Sequence, residues 1–425
     1  MANAVDYIDW RGDIDLDISP FNEIDALLLT QVAMIDLGGI VPGPESGEYI
    51  DFRDAASIFF RDKKRSRTPL GLIIPKETVT LFRKMGKSER YSKMKLGHYV
   101  HDTDHTVEQQ FSALTVMLGN GSTFIAFRGT DDSIVGWKED LNLAFMPSIP
   151  SQIEAVTYFD RVGEQIDGKV IVGGHSKGGN LAVFAAVVCE DSLRKRITDV
   201  YCFDGPGFGR EFTAHASYRE IEDRLRIIVP QSSVVGMLFE NGRRYSVVKS
   251  TENGIFQHNA LTWECKRDKL VRMPELCEQS RKVSAQINLL IADLDMDARR
   301  RFAEAIYDAL TSTKASTLTE LYEDRFAILR SLSKADKDTR RLVLKLFSIL
   351  MSDGNGQLFG TVVGSIFGGK KDDKKKPTAG TKSGAKNGNA PKNAKKANAL
   401  FNLSGGARAK SSSKSGASRG KNKIL

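Results

Sequence analysis

The sequence predicts an α/β fold built on a mainly parallel sheet, and three observations carry the prediction. Across residues 153–230, apolar runs of strand length alternate with helical patterns at the spacing of parallel βαβ units. One of these units, "VIVGGHSKGGNLAVFAA" at 170–186, passes from a buried-strand run through a glycine-flanked serine into helix formers. Upstream, "EQQFSALTVML" and "STFIAFRG" are β-rich runs joined by Gly119-Asn120-Gly121, which tolerate positive φ, so a hairpin gives the sheet an antiparallel edge.

Taken in order, the first hundred residues hold an amphipathic helix around "NEIDALLLTQVAMI" and another in "PKETVTLFRKM", where Pro75 suits a first helical turn. The hairpin follows. Residues 153–166 read as helix, "KVIVGG" as strand, the stretch to about Glu190 as helix, and "ITDVYCFD", "RLRIIVP" and "RRYSVVK" as further strands. After Pro274 the pattern turns helical, with Leu276, Val283, Ile287, Leu290, Ile291 and Leu294 at helical spacing and a similar texture continuing to Met351. The expected organisation is a sheet core at 1–273, a helical appendage or cap at 274–352, a Gly-rich apolar segment at 353–369 and a Lys-rich tail at 370–425.

Charge divides the chain in the same place. The net charge is +9, yet from Gly369 onward there are 16 basic and 2 acidic residues, which leaves −5 for residues 1–368. The tail carries one aromatic, Phe401, and cannot bury enough apolar surface to offset its ordering entropy, so disorder is expected there. Any contact it makes with an anionic membrane or nucleic acid should be weak and salt-sensitive. "GQLFGTVVGSIFGG" is too short for a membrane span and reads as a buried or interfacial helix. Four cysteines, none in a C-x-x-C pair, and an acidic amino-terminal stretch without an apolar core point to reduced thiols and a cytoplasmic protein, membrane-associated at most.

The chemistry centres on Gly174-His175-Ser176-Lys177-Gly178. This fits the G-x-S-x-G elbow that lifts a serine Oγ above the sheet in the α/β-hydrolase fold, and it meets the contextual test of following a strand and opening a helix. The duller alternative is a glycine-rich turn with an N-cap serine. A phosphate-binding loop does not fit, because Gly179 stands where its lysine would be. At the helix start, the backbone N–H of Lys177 has no intrahelical partner and suits an oxyanion. A second donor is expected from the loop after an early strand, at Thr130 or Asp131; the competing reading has Asp131-Asp132 capping the next helix.

Serine needs a base, and in this architecture the order is Ser, acid, His. That leaves His215 and His258. His215 sits in a surface-helix pattern, whereas His258, in "GIFQHNALTW", follows the last expected strand and is the base of choice. Asp204, directly after "VYCF", is the candidate acid, although a turn-forming Asp before Gly-Pro-Gly reads equally well. In "HYVHDTDH", His101, Asp102, Asp104 and His105 are close enough to raise a metal site. A polar loop with solvated side chains is the preferred reading, and no metal or cofactor is expected.

Together, "FRGTDDSIVGWKEDLN", "GGHSKGGNLAVFAA", "FDGPGF", "VPQSSVVGMLFE", "QHNALTW", "YIDWRGD" and "FNEIDALLLTQ" resemble the Mbeg1-like proteins, a bacterial family of α/β-hydrolase fold similar to the class 3 lipases. The resemblance spans roughly residues 5–350 and implies Ser176 as nucleophile and His258 as base. In the class 3 lipases the acid follows the strand after "DGPGF", where this chain has Ser232-Ser233, so Asp204 stands as its substitute. The expectation is a serine esterase or lipase-like hydrolase acting on a small-molecule or lipid ester. Its rival is a non-catalytic module of the same fold whose basic tail engages anionic partners.

Overall fold

Alternate residues of each central strand face two different helical layers. The computed structural model describes residues 2–351 apart from 69, 72, 73, 132, 240–243 and 312–335. The Gly-rich segment at 353–369 and the tail at 370–425 lie outside the described residues. The principal sheet runs β1 (Tyr49–Asp51), β2 (Lys95–Asp104), β3 (Gln109–Met117), β4 (Ser122–Phe127), β5 (Lys169–His175), β6 (Ile197–Phe203), β7 (Leu225–Pro230), β8 (Ser246–Val248) and β11 (Arg272–Met273), with β9 (Cys265–Lys266) and β10 (Lys269–Leu270) forming a separate ribbon. Strands β4 to β8 are mutually parallel, and the strands outside them pair antiparallel. The β3–β4 hairpin turns through Gly119 and Gly121, both at positive φ.

Because β4 to β8 lie in the sheet in chain order, right-handed crossovers put all their connecting helices on one face. Ile125, Phe127, Val170, Val172, Val200, Cys202, Ile227 and Val229 look that way, onto α7 (Pro150–Gln165), α8 (Lys177–Val188) and the short α9 (Asp191–Arg194) and α11 (Ala216–Ile221). The intervening Phe124, Ala126, Ile171, Tyr201, Phe203 and Ile228 look the other way, onto α1 (Ala4–Arg11), α2 (Glu23–Val32), α3 (Phe52–Arg61) and α4 (Glu77–Lys87). A sheet covered on both faces explains why its strands read as near-continuous apolar runs.

The amino-terminal layer is locked by a buried charge cluster. Asn22 caps α2 by accepting from the N–H groups of Ile24 and Asp25, and Asp25 accepts back from the Asn22 N–H at 2.9 Å. Asp25 also receives Arg90 Nε at 2.7 Å and Tyr91 OH at 2.6 Å, while Arg90, in the short α5 (Glu89–Ser92), donates to the carbonyls of Ile14, Ser19 and Pro20. Burial and the Asp25 charge push the Tyr91 phenol well up.

"HYVHDTDH" lies chiefly in β2, not in a loop. Strand β3 pairs it from Val100↔Ala113 to Asp104↔Gln109, and its far end is exposed, so polar side chains carry no burial cost there. His101 stands 3.6 Å from Asp36 and 3.3 Å from Arg128, and among the described residues no three His, Cys, Asp or Glu side chains could share a metal ion. The pattern around His215 breaks into α10 (Arg210–Thr213) and α11, with His215 as the N-cap accepting from the Ser217 N–H.

Beyond the sheet, α12 (Glu278–Ala292) and α14 (Lys337–Met351) pack through Val283, Ile287, Leu290 and Ile349. The intervening α13 (Met296–Thr311) reaches α6 (Ile134–Asn142): the Lys138 ammonium sits 3.9 Å above the Tyr307 ring, and Arg299 donates to the Ala144 carbonyl at 3.1 Å. Among the described residues no helix is long and apolar enough to cross a membrane.

Candidate active site

Strand β5 ends at His175 and α8 begins at Lys177, so Ser176 alone makes the corner, at φ +57° and ψ −130°. A non-glycine residue held there stores about 1–3 kcal/mol of strain and needs its surroundings to enforce it. Here the Ser176 N–H donates to the Phe203 carbonyl of β6 at 2.9 Å, and the Ser176 carbonyl accepts from Gly179. The flanking glycines are a packing requirement. A Cβ on Gly174 would sit 2.1 Å from the Gly178 backbone, and one on Gly178 would sit 2.2 Å from the Phe127 carbonyl oxygen. The turn therefore excludes side chains two positions before and two positions after the serine.

Asp204 and His258 meet. Asp204 follows β6 at φ +50°, its N–H held by the Ile228 carbonyl at 2.8 Å. Its Oδ2 lies 2.7 Å from His258 Nδ1, while its Oδ1 accepts from Ser233 Oγ and from the Gly236 N–H at 3.1 Å. The carboxylate is 1% exposed and the imidazole 26%. The loop behind His258 is pinned through Gln257, which accepts from the Ser232 N–H at 2.8 Å, donates to the Glu252 carbonyl and lends its own carbonyl to Trp263 Nε1. Ser232-Ser233 thus stand as supports for the Asp204–His258 pair.

His175, passed over in the sequence, packs its ring 4.7 Å from that of His258 and reaches the His258 carbonyl through Nε2 at 2.8 Å. Burial, reinforced by the nearby His258, pushes its pKa down to about 3, so it is neutral and carries the proton on Nε2. No pattern in the sequence marks this contact, because it joins positions 83 apart.

Ser176, Lys177, His175 and His258 line one pocket of about 290 Å³, together with Gly129, Thr130, Trp137 and Asp140 from the β4–α6 region. The β4–α6 loop abuts the elbow: a Cβ on Gly129 would come within 2.6 Å of the His175 carbonyl oxygen. Of the two expected second donors, Thr130 lines the pocket, its hydroxyl donating to Asp140 Oδ2 at 2.6 Å. Asp131 is not among the lining residues; its carboxylate pairs with Arg128 at 3.2 Å and accepts from the Ser133 N–H. Burial opposes its ionisation, but Arg128 and Ser133 outweigh that and hold it below the usual carboxylate range. Ser133, not Asp131, caps α6, accepting from the Gly136 N–H; Asp132 lies outside the described residues.

Beneath the elbow lies an ion pair that the motif did not announce. The Lys177 ammonium, 1% exposed, donates to Glu139 Oε2 at 2.8 Å and to the carbonyl and side-chain oxygens of Gln110, both at 2.9 Å. Glu139 in turn accepts from the N–H groups of Ser151 at 2.8 Å and Gln110 at 3.1 Å. Every oxygen and proton of the pair is engaged, as a buried pair requires. Next to it, burial pushes Asp140 up to about 6, with Lys177 and the Thr130 hydroxyl limiting the rise.

The opposite wall is held by the carboxy-terminal helices. Asn288 of α12 accepts from the Phe239 N–H at 3.0 Å and donates to the Met237 carbonyl at 2.8 Å, fixing the turn that brings Leu238 and Phe239 to the pocket.

The Mbeg1-like family model matches residues 85–308, more than half of the chain. The chain belongs to the Mbeg1-like family. The match takes in the elbow, Asp204, His258 and the β4–α6 loop of this Mbeg1-like protein. No curated protein matches it. Among solved structures it is similar to a crystal structure titled M37 lipase, at 16% identity and a TM-score of 0.32, covering 50% of this chain and 68% of the other.

Proposed function

We propose that this Mbeg1-like protein is a cytoplasmic serine hydrolase of α/β-hydrolase fold that cleaves carboxylic esters, lipid esters among them, through an acyl-enzyme on Ser176. The observation that carries the reading is the Asp204–His258 hydrogen bond opening on the same pocket as a serine held at a strained strand-to-helix corner. In this reading Ser176 Oγ attacks the ester carbonyl and His258 Nε2 takes its proton, Asp204 holding the proton on Nδ1 and steadying the imidazolium. The N–H groups of Lys177 and Thr130 hold the oxyanion, and the Thr130–Asp140 bond fixes their loop. His258 then protonates the leaving alcohol, and water, activated by the same imidazole, releases the acid and restores Ser176. We assign the helical segment at 274–352 the role of a cap, supported by its grip on Phe239 and Met237.

The test is labelling with a fluorophosphonate probe, which reports an activated serine without knowledge of the substrate. Wild type should label and Ser176→Ala should not, losing about 10⁶ in turnover of any ester found. Folded wild type that fails to label would favour the rival, a non-catalytic module whose working part is the basic tail.

A further inference from the structure

Three polar atoms that are shielded from solvent and have no hydrogen-bond partner among the described residues belong to residues lining the pocket around Ser176: Gln31 Nε2 from α2, and Trp137 Nε1 and Asp140 Oδ1 from α6. Gln31 is 1% exposed. Trp137 and Asp140 are three apart in α6 and therefore neighbours on the helix surface. Buried polar groups are ordinarily paired, because an unmade hydrogen bond forfeits the whole cost of desolvating the group. Lys177, Glu139 and Asp204 each have all their groups engaged; Gln110 Nε2, Ser151 Oγ and Arg128 Nε nearby are unpaired among the described residues as well, but their residues do not line the pocket. Met34, Leu141, Val235, Leu238 and Phe239 add apolar wall.

The chemistry of the unpaired atoms restricts what can meet them. Two are N–H donors and one is a carboxylate oxygen, which accepts when ionised and donates when protonated. An ammonium group has no lone pair for the two N–H donors, and an anion would face the Asp140 carboxylate. An alkyl chain would leave all three unmet. A hydroxyl has one proton and two lone pairs, the complement of these three atoms in number and sense.

We propose that the pocket selects esters that carry a free hydroxyl close to the scissile carbonyl, read by Trp137 Nε1, Gln31 Nε2 and Asp140 Oδ1. This rests on the ester-hydrolase reading and narrows it from esters in general to hydroxylated ones. Asp140 joins recognition to chemistry, since its other oxygen holds the Thr130 hydroxyl. Its carboxyl, raised by burial towards neutrality, can meet the hydroxyl as acceptor or donor.

The hydroxyl can sit on the acyl side or on the alcohol side, and matched substrate pairs separate these. Full-length protein is assayed on p-nitrophenyl butyrate against p-nitrophenyl 3-hydroxybutyrate, and on propyl butyrate against glycerol monobutyrate. The expected result is a kcat/KM about tenfold or more higher for the hydroxylated member of one pair, the size expected when a site built to hydrogen-bond a hydroxyl meets an analogue lacking it. Trp137→Phe removes one N–H and Gln31→Leu another, and each should pull that ratio down by about fivefold. Folding of each variant is checked by its thermal unfolding, and the wild-type ratio decides even where one variant does not fold. Turnover of plain and hydroxylated esters within twofold of each other in both pairs overturns the proposal while leaving ester hydrolysis standing. So does a high ratio that neither variant changes. If none of the four esters reacts and the serine does not label, the hydrolase reading itself fails and this inference goes with it.

Discussion

Replacing Lys177 by Met tests whether the buried pair beneath the elbow holds the site together. Methionine fills most of the lysine's volume, so the main change is the loss of a buried positive charge. Glu139, 0% exposed at its side chain, would keep the N–H groups of Ser151 and Gln110 but lose the ammonium at 2.8 Å. Two oxygens of Gln110 would also lose their donor. Breaking a buried pair from one side costs about 3–5 kcal/mol, because the surviving charge is stranded. Against a folding free energy of about 5–15 kcal/mol that leaves a folded but weakened protein. Glu139→Gln strands the Lys177 ammonium instead and turns an NH2 towards one of the two backbone N–H groups that Glu139 accepts from, so it should cost a similar amount. The double variant should regain about 1–3 kcal/mol over the sum of the singles, as coupled neighbours do. Urea unfolding supplies the three free energies, and the rate of fluorophosphonate labelling, measured where all variants are folded, reports the effect on Ser176. A Lys177→Met cost under about 1 kcal/mol, with additive double-variant energies, would refute the reasoning, since no stranded charge costs so little.

Four other outcomes follow from the same geometry. Asp204→Asn should lower ester turnover by about 10²–10⁴ while leaving a measurable remnant, because an amide at that position permits the wrong His258 tautomer; stopped-assay kinetics would detect it. His175 should not titrate by NMR at any pH from 8 down to 4, since burial holds its pKa at about 3. An unfolded histidine takes its proton near pH 6.5 while the folded one resists, so stability should fall by about 1.4 kcal/mol per pH unit as pH drops from about 6.5 towards 3. A His175→Gln variant should lose that part of the slope in urea titrations. Gly178→Ala, which drives a Cβ into the Phe127 carbonyl, should cost about 1–3 kcal/mol and slow labelling more than Ala substitution at the open Gly209.

The legible part of the site was the part encoded over a few neighbouring residues. The elbow is local: strand, two glycines, serine and helix follow one another, and the steric demand at Gly174 and Gly178 shows directly in composition. His258 was reachable by chain order. Asp204 was ambiguous because an aspartate before Gly-Pro-Gly serves a turn as readily as a histidine. Its partners Ser233 and Gly236 are what distinguish it, and they stand about thirty residues away. Strand β2 was hidden for another reason. Its polar outer half has no alternation to read, and pairing with β3 alone makes it a strand.

Periodicity and turn chemistry by themselves determined the parallel core, the hairpin and the serine corner, because each depends on contacts within a few positions or on the apolar character of a strand buried on both faces. Only the tertiary structure decided that Lys177 is an internal counter-ion for Glu139, that His175 supports His258, and that Gln31 and Trp137, both lining the site, carry N–H groups unpaired among the described residues. Those are relations between groups far apart in the chain. A sequence states which groups are available to pair, but their partners are fixed by the shape in which the sheet and its two helical layers close.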